Sequence, residues 1–174
     1  MRTITIEKTL YKFEELPEKS QNKVLNRFYD LNINRDWWHS DYCDAETIGL
    51  KLTGFGLYRN RHCTGRFTES AEKVIQLIKE NHGKQCETYR TALIFEQQFS
   101  EVFCQACKAG EAENCESDCE DKHKEIEEKL LKSLLEVYSI MLQEEYEYLT
   151  SREAILESIA AHEYEFTEDG HQVT

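Results

Sequence analysis

Four cysteines fall within sixteen residues, Cys104, Cys107, Cys115 and Cys119, with two, seven and three residues between them. Zinc takes four soft ligands in a tetrahedron, and cysteines two or three residues apart supply two ligands from each turn without strain. The seven-residue middle spacing is shorter than in most finger-type sites. His123, four residues beyond Cys119, would share its face if the helix has begun there, and could replace one thiol. One structural zinc ion, reduced unliganded thiols and a disulfide all stay open. Four protein ligands would fill the coordination shell, so even the metal reading describes a staple and no catalytic centre.

Other reactive residue types cluster without converging. His39, Asp41, Cys43 and Asp44 follow the pair Trp37-Trp38, but residues two apart on a helix point to different faces, so the four make no metal or acid–base site. The indoles are expected in the core, although two adjacent ones cannot share a face, which leaves a binding role open for one. His62 and Cys63 pair a base with a nucleophile in sequence only, because neighbours on a strand face opposite ways and no third group orients the base. Arg59, Arg61, His62 and Arg66 form the only basic cluster. It could grip an acidic partner, but it lacks the aromatic interleaving of a nucleic-acid surface, and direct nucleic-acid binding is not expected. Phosphate loop, nucleophile elbow, zinc-protease helix and EF-hand motifs are absent, so the chain reads as non-enzymatic.

The elements that must position these residues belong to a chain of 174 residues, a one-domain length that can bury a core. No apolar run approaches a membrane span, and the first residues lack the apolar block of a secretory signal, so a cytoplasmic location with no membrane partner is expected. Charge is uneven. Residues 1–99 carry 15 Lys+Arg and 14 Asp+Glu, whereas residues 100–174 carry 6 and 20. Such an excess repels nucleic acid and attracts basic protein surfaces, or simply solvates a helical face.

Periodicity predicts one α+β domain over 1–174: a near-neutral sheet-plus-helix part over 1–99, a Cys-rich loop over 104–119 and an acidic helical part over 120–174. The first dozen residues, with β-branched Thr3, Ile4, Thr5 and Ile6 and then Leu10, Tyr11 and Phe13, read as a strand. Pro17 suits the first turn of a helix whose apolar face is Val24, Leu25, Phe28 and Leu31. Trp38, Tyr42, Ala45 and Ile48 mark a short helix that Gly49 ends. Leu50–Leu57 and Cys63–Phe67 form a hairpin. Thr68 is the expected cap of a helix carrying Val74, Ile75, Leu77 and Ile78 and packing on the sheet. The next helix, Glu87–Phe103, is expected to bury Tyr89, Ala92, Leu93, Phe99 and Phe103. A capping box at Ser117-x-x-Glu120 opens the longest helix, with Ile126, Leu130, Leu134, Val137, Tyr138 and Met141 inward. Any apolar surface it leaves exposed could pair two copies. A second box at Thr150 opens a helix bearing Ala154, Ile155, Ile159 and Ala160, and Tyr164 and Phe166, before a Glu168-Asp169-Gly170 turn, read as a last strand or a frayed tail.

Two stretches carry a resemblance. They are Trp37-Trp38 through Asp44-Ala45-x-x-Ile48-Gly49-Leu50-Lys51-x-x-Gly54-Phe55, with Gly65-x-Phe67 and Glu87-Thr88-Tyr89 after it, and Glu145-Tyr146-Glu147-Tyr148-Leu149-Thr150-Ser151 through Glu163 to Gly170. The chain resembles a family of small acidic proteins encoded by bacteriophages and integrated mobile elements, over most of its length except roughly residues 100–125. The resemblance supplies no catalytic residues. It implies a bacterial host and a counter-defence protein of the anti-CRISPR kind, which would bind and inhibit a host nucleic-acid-guided nuclease, an RNA-targeting effector among them. The expected contact residues are Glu125, Glu128, Glu136 and Glu144 on the long helix, with Trp37, Arg59 and Arg61. An antitoxin-like module that neutralises a basic protein is one alternative, and an enzyme or nucleotide-binding protein acting on a defence signal is another.

Overall fold

The computed structural model describes residues 2, 7–102 and 116–173. The protein is α+β, and its chain divides into two compact units, Met1–Trp37 with Glu144–Thr174, and Trp38–Gln143. This division does not follow the near-neutral and acidic halves of the sequence, because the first 37 residues fold with the last 31.

In the first unit a 3-10 turn over Phe13–Glu15 precedes helix α1, Glu18–Arg27, which Pro17 caps. Helix α6, Arg152–Ala161, lies in the same unit, followed by a minimal hairpin of β3, Glu165–Phe166, and β4, Gln172–Val173. Phe13, Leu16, Val24, Phe28, Ile155, Ile159 and Phe166 make one apolar cluster. Phe28 stacks edge-on to Phe166 at 5.9 Å. Each such side chain taken from water contributes roughly 1.5–3 kcal/mol. Polar ties fix the two ends of the chain together. The Ser20 hydroxyl donates to the Glu168 carbonyl at 2.6 Å, and Asn32 donates to the Leu149 carbonyl at 3.0 Å while accepting from Ser158 at 2.6 Å. Gly170 has φ +83, and an added Cβ would sit 3.0 Å from the Ser20 carbonyl, so only glycine makes that turn without strain.

The second unit holds helix α2, His39–Thr47, the hairpin β1, Leu50–Gly56, with β2, His62–Phe67, then helices α3, Ala71–Asn81, and α4, Glu87–Val102. Helix α5, Glu116–Leu149, contributes to this unit up to Gln143. The strands pair antiparallel, with a bulge between Leu52 and Gly54. An added Cβ on Gly65 would fall 3.0 Å from Leu135, so α5 lies close on the hairpin. Leu130, Leu134, Tyr138 and Leu142 are its buried stripe, facing a core that includes Leu50, Val74, Ile78, Ala92 and Phe95.

Several expectations need correction. Residues 3–6 of the expected first strand lie outside the described residues; of the rest only Tyr11 pairs, in an isolated bridge to Phe166. Ser70, not Thr68, caps α3, its hydroxyl accepting from the Lys73 N–H at 3.3 Å, while the Thr68 backbone is still held at the hairpin's end by its bond to the Gly49 carbonyl at 2.9 Å. Helix α3 packs chiefly on α4, and the helix that packs most on the hairpin is α2, against β1. Phe95 takes the core position expected for Leu93, which is 45% exposed. Helix α5 begins at Glu116, so Ser117 and Cys119 are already helical, and α6 is capped by Ser151, one residue after the expected Thr150. Ala160 is exposed.

Candidate functional site

Of the expected zinc ligands, Cys104, Cys107 and Cys115 lie outside the described residues. Cys119 is buried, with its sulfur 3.6 Å from the Val102 carbonyl. His123 directs Nε2 to the Glu72 carboxylate and rests its ring 4.9 Å from Phe99. Among the described residues no three His, Cys, Asp or Glu side chains gather as a metal site.

The His39–Asp44 segment is organised more than its sequence implied. Residues two apart do diverge, but His39 and Cys43, four apart, meet in an outward pair, while Asp44 bonds inward to other elements. His39 Nε2 lies 3.5 Å from the Cys43 sulfur on the exposed face of α2. On the opposite face Asp44 Oδ2 accepts from the fully buried Tyr138 hydroxyl at 2.8 Å, and Oδ1 lies 3.4 Å from His82 Nε2. His82 Nδ1 is in turn 2.6 Å from the Thr88 hydroxyl. The imidazole lowers the Asp44 carboxyl below its ordinary range, helped by Tyr138 and opposed by burial. Burial, then the bond to Asp44, raises the Tyr138 phenol.

A hydroxyl, an imidazole and a carboxylate in line have the order of a hydrolase triad, yet the exposure is reversed. Thr88 is buried while the Asp44 side chain is 41% exposed, so no substrate can reach the would-be nucleophile. The network clamps α2, α4 and α5 to the loop after α3.

Cys63 lies on the floor of a groove of about 380 Å³ lined also by Arg61, His62, Glu128, Leu131, Lys132 and Glu136. Burial pushes its thiol up to about 11, which keeps it protonated and inert, and His62 faces the Asn60 carbonyl instead.

The residues expected to meet a partner fare differently. Glu136 is bonded to Arg61 at 2.6 Å and Glu125 to Lys129 at 2.7 Å. Glu128 and Glu144 are exposed, as is Arg59 in a 3-10 turn. Trp37 and Trp38 part company at the unit boundary, Trp37 packing on Tyr146 at 5.6 Å and Trp38 on Phe55 at 5.8 Å.

A group that sequence reasoning passed over gathers at the end of α5. Tyr148 is 48% exposed, its hydroxyl 3.3 Å from Glu157. Its phenol is raised first by the charge of Glu157, then by the bond to it, with Glu153 and Glu145 adding to the effect. Three carboxylates therefore act on one exposed phenol, Glu157 through a direct bond. The signal was present as Glu145-x-x-Tyr148 followed by Glu153-x-x-x-Glu157, spacings that put like charges on common helix faces.

No protein-family model, no curated protein and no solved structure matches the chain.

Proposed function

We propose that this protein acts without catalysis, by offering the acidic face of residues 144–169 to a protein with a basic surface, and that the partner is a host nucleic-acid-guided nuclease whose phosphate-gripping channel it occupies. The observation that carries the reading is the Tyr148 group. Between residues 144 and 169 there are nine carboxylates and one cation, Arg152. A ring among carboxylates presents both stacking surface and negative charge, the pair of features by which a single-stranded nucleic acid engages such a channel. The second unit supports the role less well, because Glu125 and Glu136 are each tied to a cation.

The partner class follows from charge and from the resemblance to mobile-element proteins, and it is tested by capture from a bacterial host lysate. Recovery of a nuclease complex supports the reading; recovery of a small basic toxin would replace it with the antitoxin alternative. The face is tested with two sets of substitutions against the captured partner. Changing Glu145, Glu153 and Glu157 to Gln is expected to weaken binding by about tenfold and to flatten its salt dependence, whereas Glu125, Glu128 and Glu136 to Gln should change it less than about threefold. Equal losses from both sets, or affinity indifferent to salt, would overturn the assignment of the face.

A further inference from the structure

The outward pair on α2 brings together two groups with a chemistry that the binding role does not use. The Cys43 sulfur and His39 Nε2 are one helical turn apart and 3.5 Å from each other, both exposed. The opposite side of the same helix is held independently, by buried Ala45 and by the Tyr138–Asp44 bond. Chemistry at Cys43 therefore needs no opening of the fold.

We propose that Cys43 is a site of reversible thiol modification, in which His39 accepts the thiol proton and the resulting thiolate exchanges with a low-molecular-weight disulfide. The thiolate is the nucleophile in such exchange, and an imidazole 3.5 Å from the sulfur stands where it can take the proton as the thiolate attacks. In the step, Cys43 Sγ gives its proton to His39 Nε2 and attacks one sulfur of the disulfide. The new S–S bond forms as the old one breaks. The departing thiolate takes up the proton from His39 and leaves as a free thiol, so Cys43 is oxidised and the small disulfide reduced with no further reagent.

The molecule contains its own controls. Cys86 is equally exposed but has no histidine within hydrogen-bond distance among the described residues. Cys63 is buried and its thiol raised to about 11. Two exposed thiols thus differ in the imidazole, and two thiols with a histidine near in sequence, Cys43 and Cys63, differ in access and in whether that histidine faces the sulfur.

The test is exposure of the full native chain to glutathione disulfide, with the modified fraction at each cysteine read by peptide mass mapping over time. Cys43 is expected to react about tenfold faster than Cys86, and Cys63 slowest of the three. His39→Gln should bring Cys43 down to the rate of Cys86 and leave the buried Cys63 slow, the latter showing that the variant remains folded. His39→Asn is the second variant and should do the same. Reaction of Cys86 as fast as Cys43 in the native chain would overturn the proposal, as would a Cys43 rate that neither substitution lowers.

Discussion

The two units have nearly the same net charge and very different electrostatics. The first, of 68 residues, has 8 Lys+Arg against 15 Asp+Glu; the second, of 106 residues, has 13 against 19, so the balances are −7 and −6. In the second unit carboxylates meet cations at Arg61–Glu136, Lys79–Glu96, Arg90–Glu87 and Lys129–Glu125. In the first, the ion pair between Asp169 and His171 depends on the histidine being protonated. Net charge counts groups, but the field a partner meets depends on which are compensated. The chain-half asymmetry of the sequence is redistributed by folding, since residues 1–37, with seven cations and six carboxylates, share a unit with residues 144–174. The strongest remaining excess is local, around Tyr148, since Lys19 and Lys23 line one pocket with Glu168 and Asp169.

The comparison holds only if both units are packed bodies that fix their charges, and core truncation is the strongest way to break it. Phe166 and Leu134 are each fully buried, one in each unit. Phe166→Ala is expected to cost about 3–5 kcal/mol and Leu134→Ala about 2–5 kcal/mol, measured by denaturant unfolding. A loss under about 1 kcal/mol for Phe166→Ala would mean that the first unit holds its carboxylates in no fixed arrangement.

A smaller effect separates the buried network of the second unit from the exposed carboxylates of the first. Asp44→Ala leaves the buried Tyr138 hydroxyl without its acceptor and should cost about 1–3 kcal/mol. Tyr138→Phe should cost less, because the part-exposed Asp44 can regain water. The acid limb gives an independent reading. A carboxyl lowered in the folded state contributes stability that is present above its unfolded value, about 3.9 for aspartate, and is lost as the pH falls through the folded value. Asp44 is lowered, chiefly by His82. Unfolding midpoints followed from pH 5 downward should therefore fall less steeply in Asp44→Asn than in the native chain; identical slopes would remove Asp44 from the account.

Much of this architecture is legible in the residues themselves. Helices α1, α2, α5 and α6 and the β1–β2 hairpin follow from apolar spacing and from Gly49, because a stripe at 3.6 or an alternation at 2 has one way to face a core. Local competition was harder to see. Thr68 and Ser70 are both sound caps, and the choice falls to Ser70 because the hairpin's pairing runs on through Thr68 and the helix starts two residues later. Leu93 and Phe95 are both apolar, and the rotation of α4 that buries Phe95 is set by α3, which no local pattern encodes. The site was less legible still. That His39 meets Cys43 follows from helical spacing once the helix is drawn, but that Asp44 meets His82 and Tyr138 joins residues 38 and 94 positions away, and only the tertiary fold brings them together.

The smallest effect is the sharpest, since it reads the field of the first unit without a partner. Tyr148 and Tyr138 both titrate above the ordinary phenol range, for opposite reasons. Charge on Glu157 leads at Tyr148, and burial leads at Tyr138. A raised phenol caused by exposed carboxylates is screened by salt, because the Debye length shrinks to about 3 Å at 1 M, whereas a desolvated phenol responds little. Ring resonances of isotope-labelled tyrosine, followed against pH, should show Tyr148 moving back toward its ordinary value at 1 M salt. Glu157→Gln should lower it further than Glu153→Gln or Glu145→Gln, since it alone removes the charge on the acceptor bonded to the phenol and leaves a neutral amide oxygen in its place. A Tyr148 titration unmoved by salt and by all three substitutions would leave the first unit with acidic residues but no concentrated field, and the contrast between the units would reduce to composition.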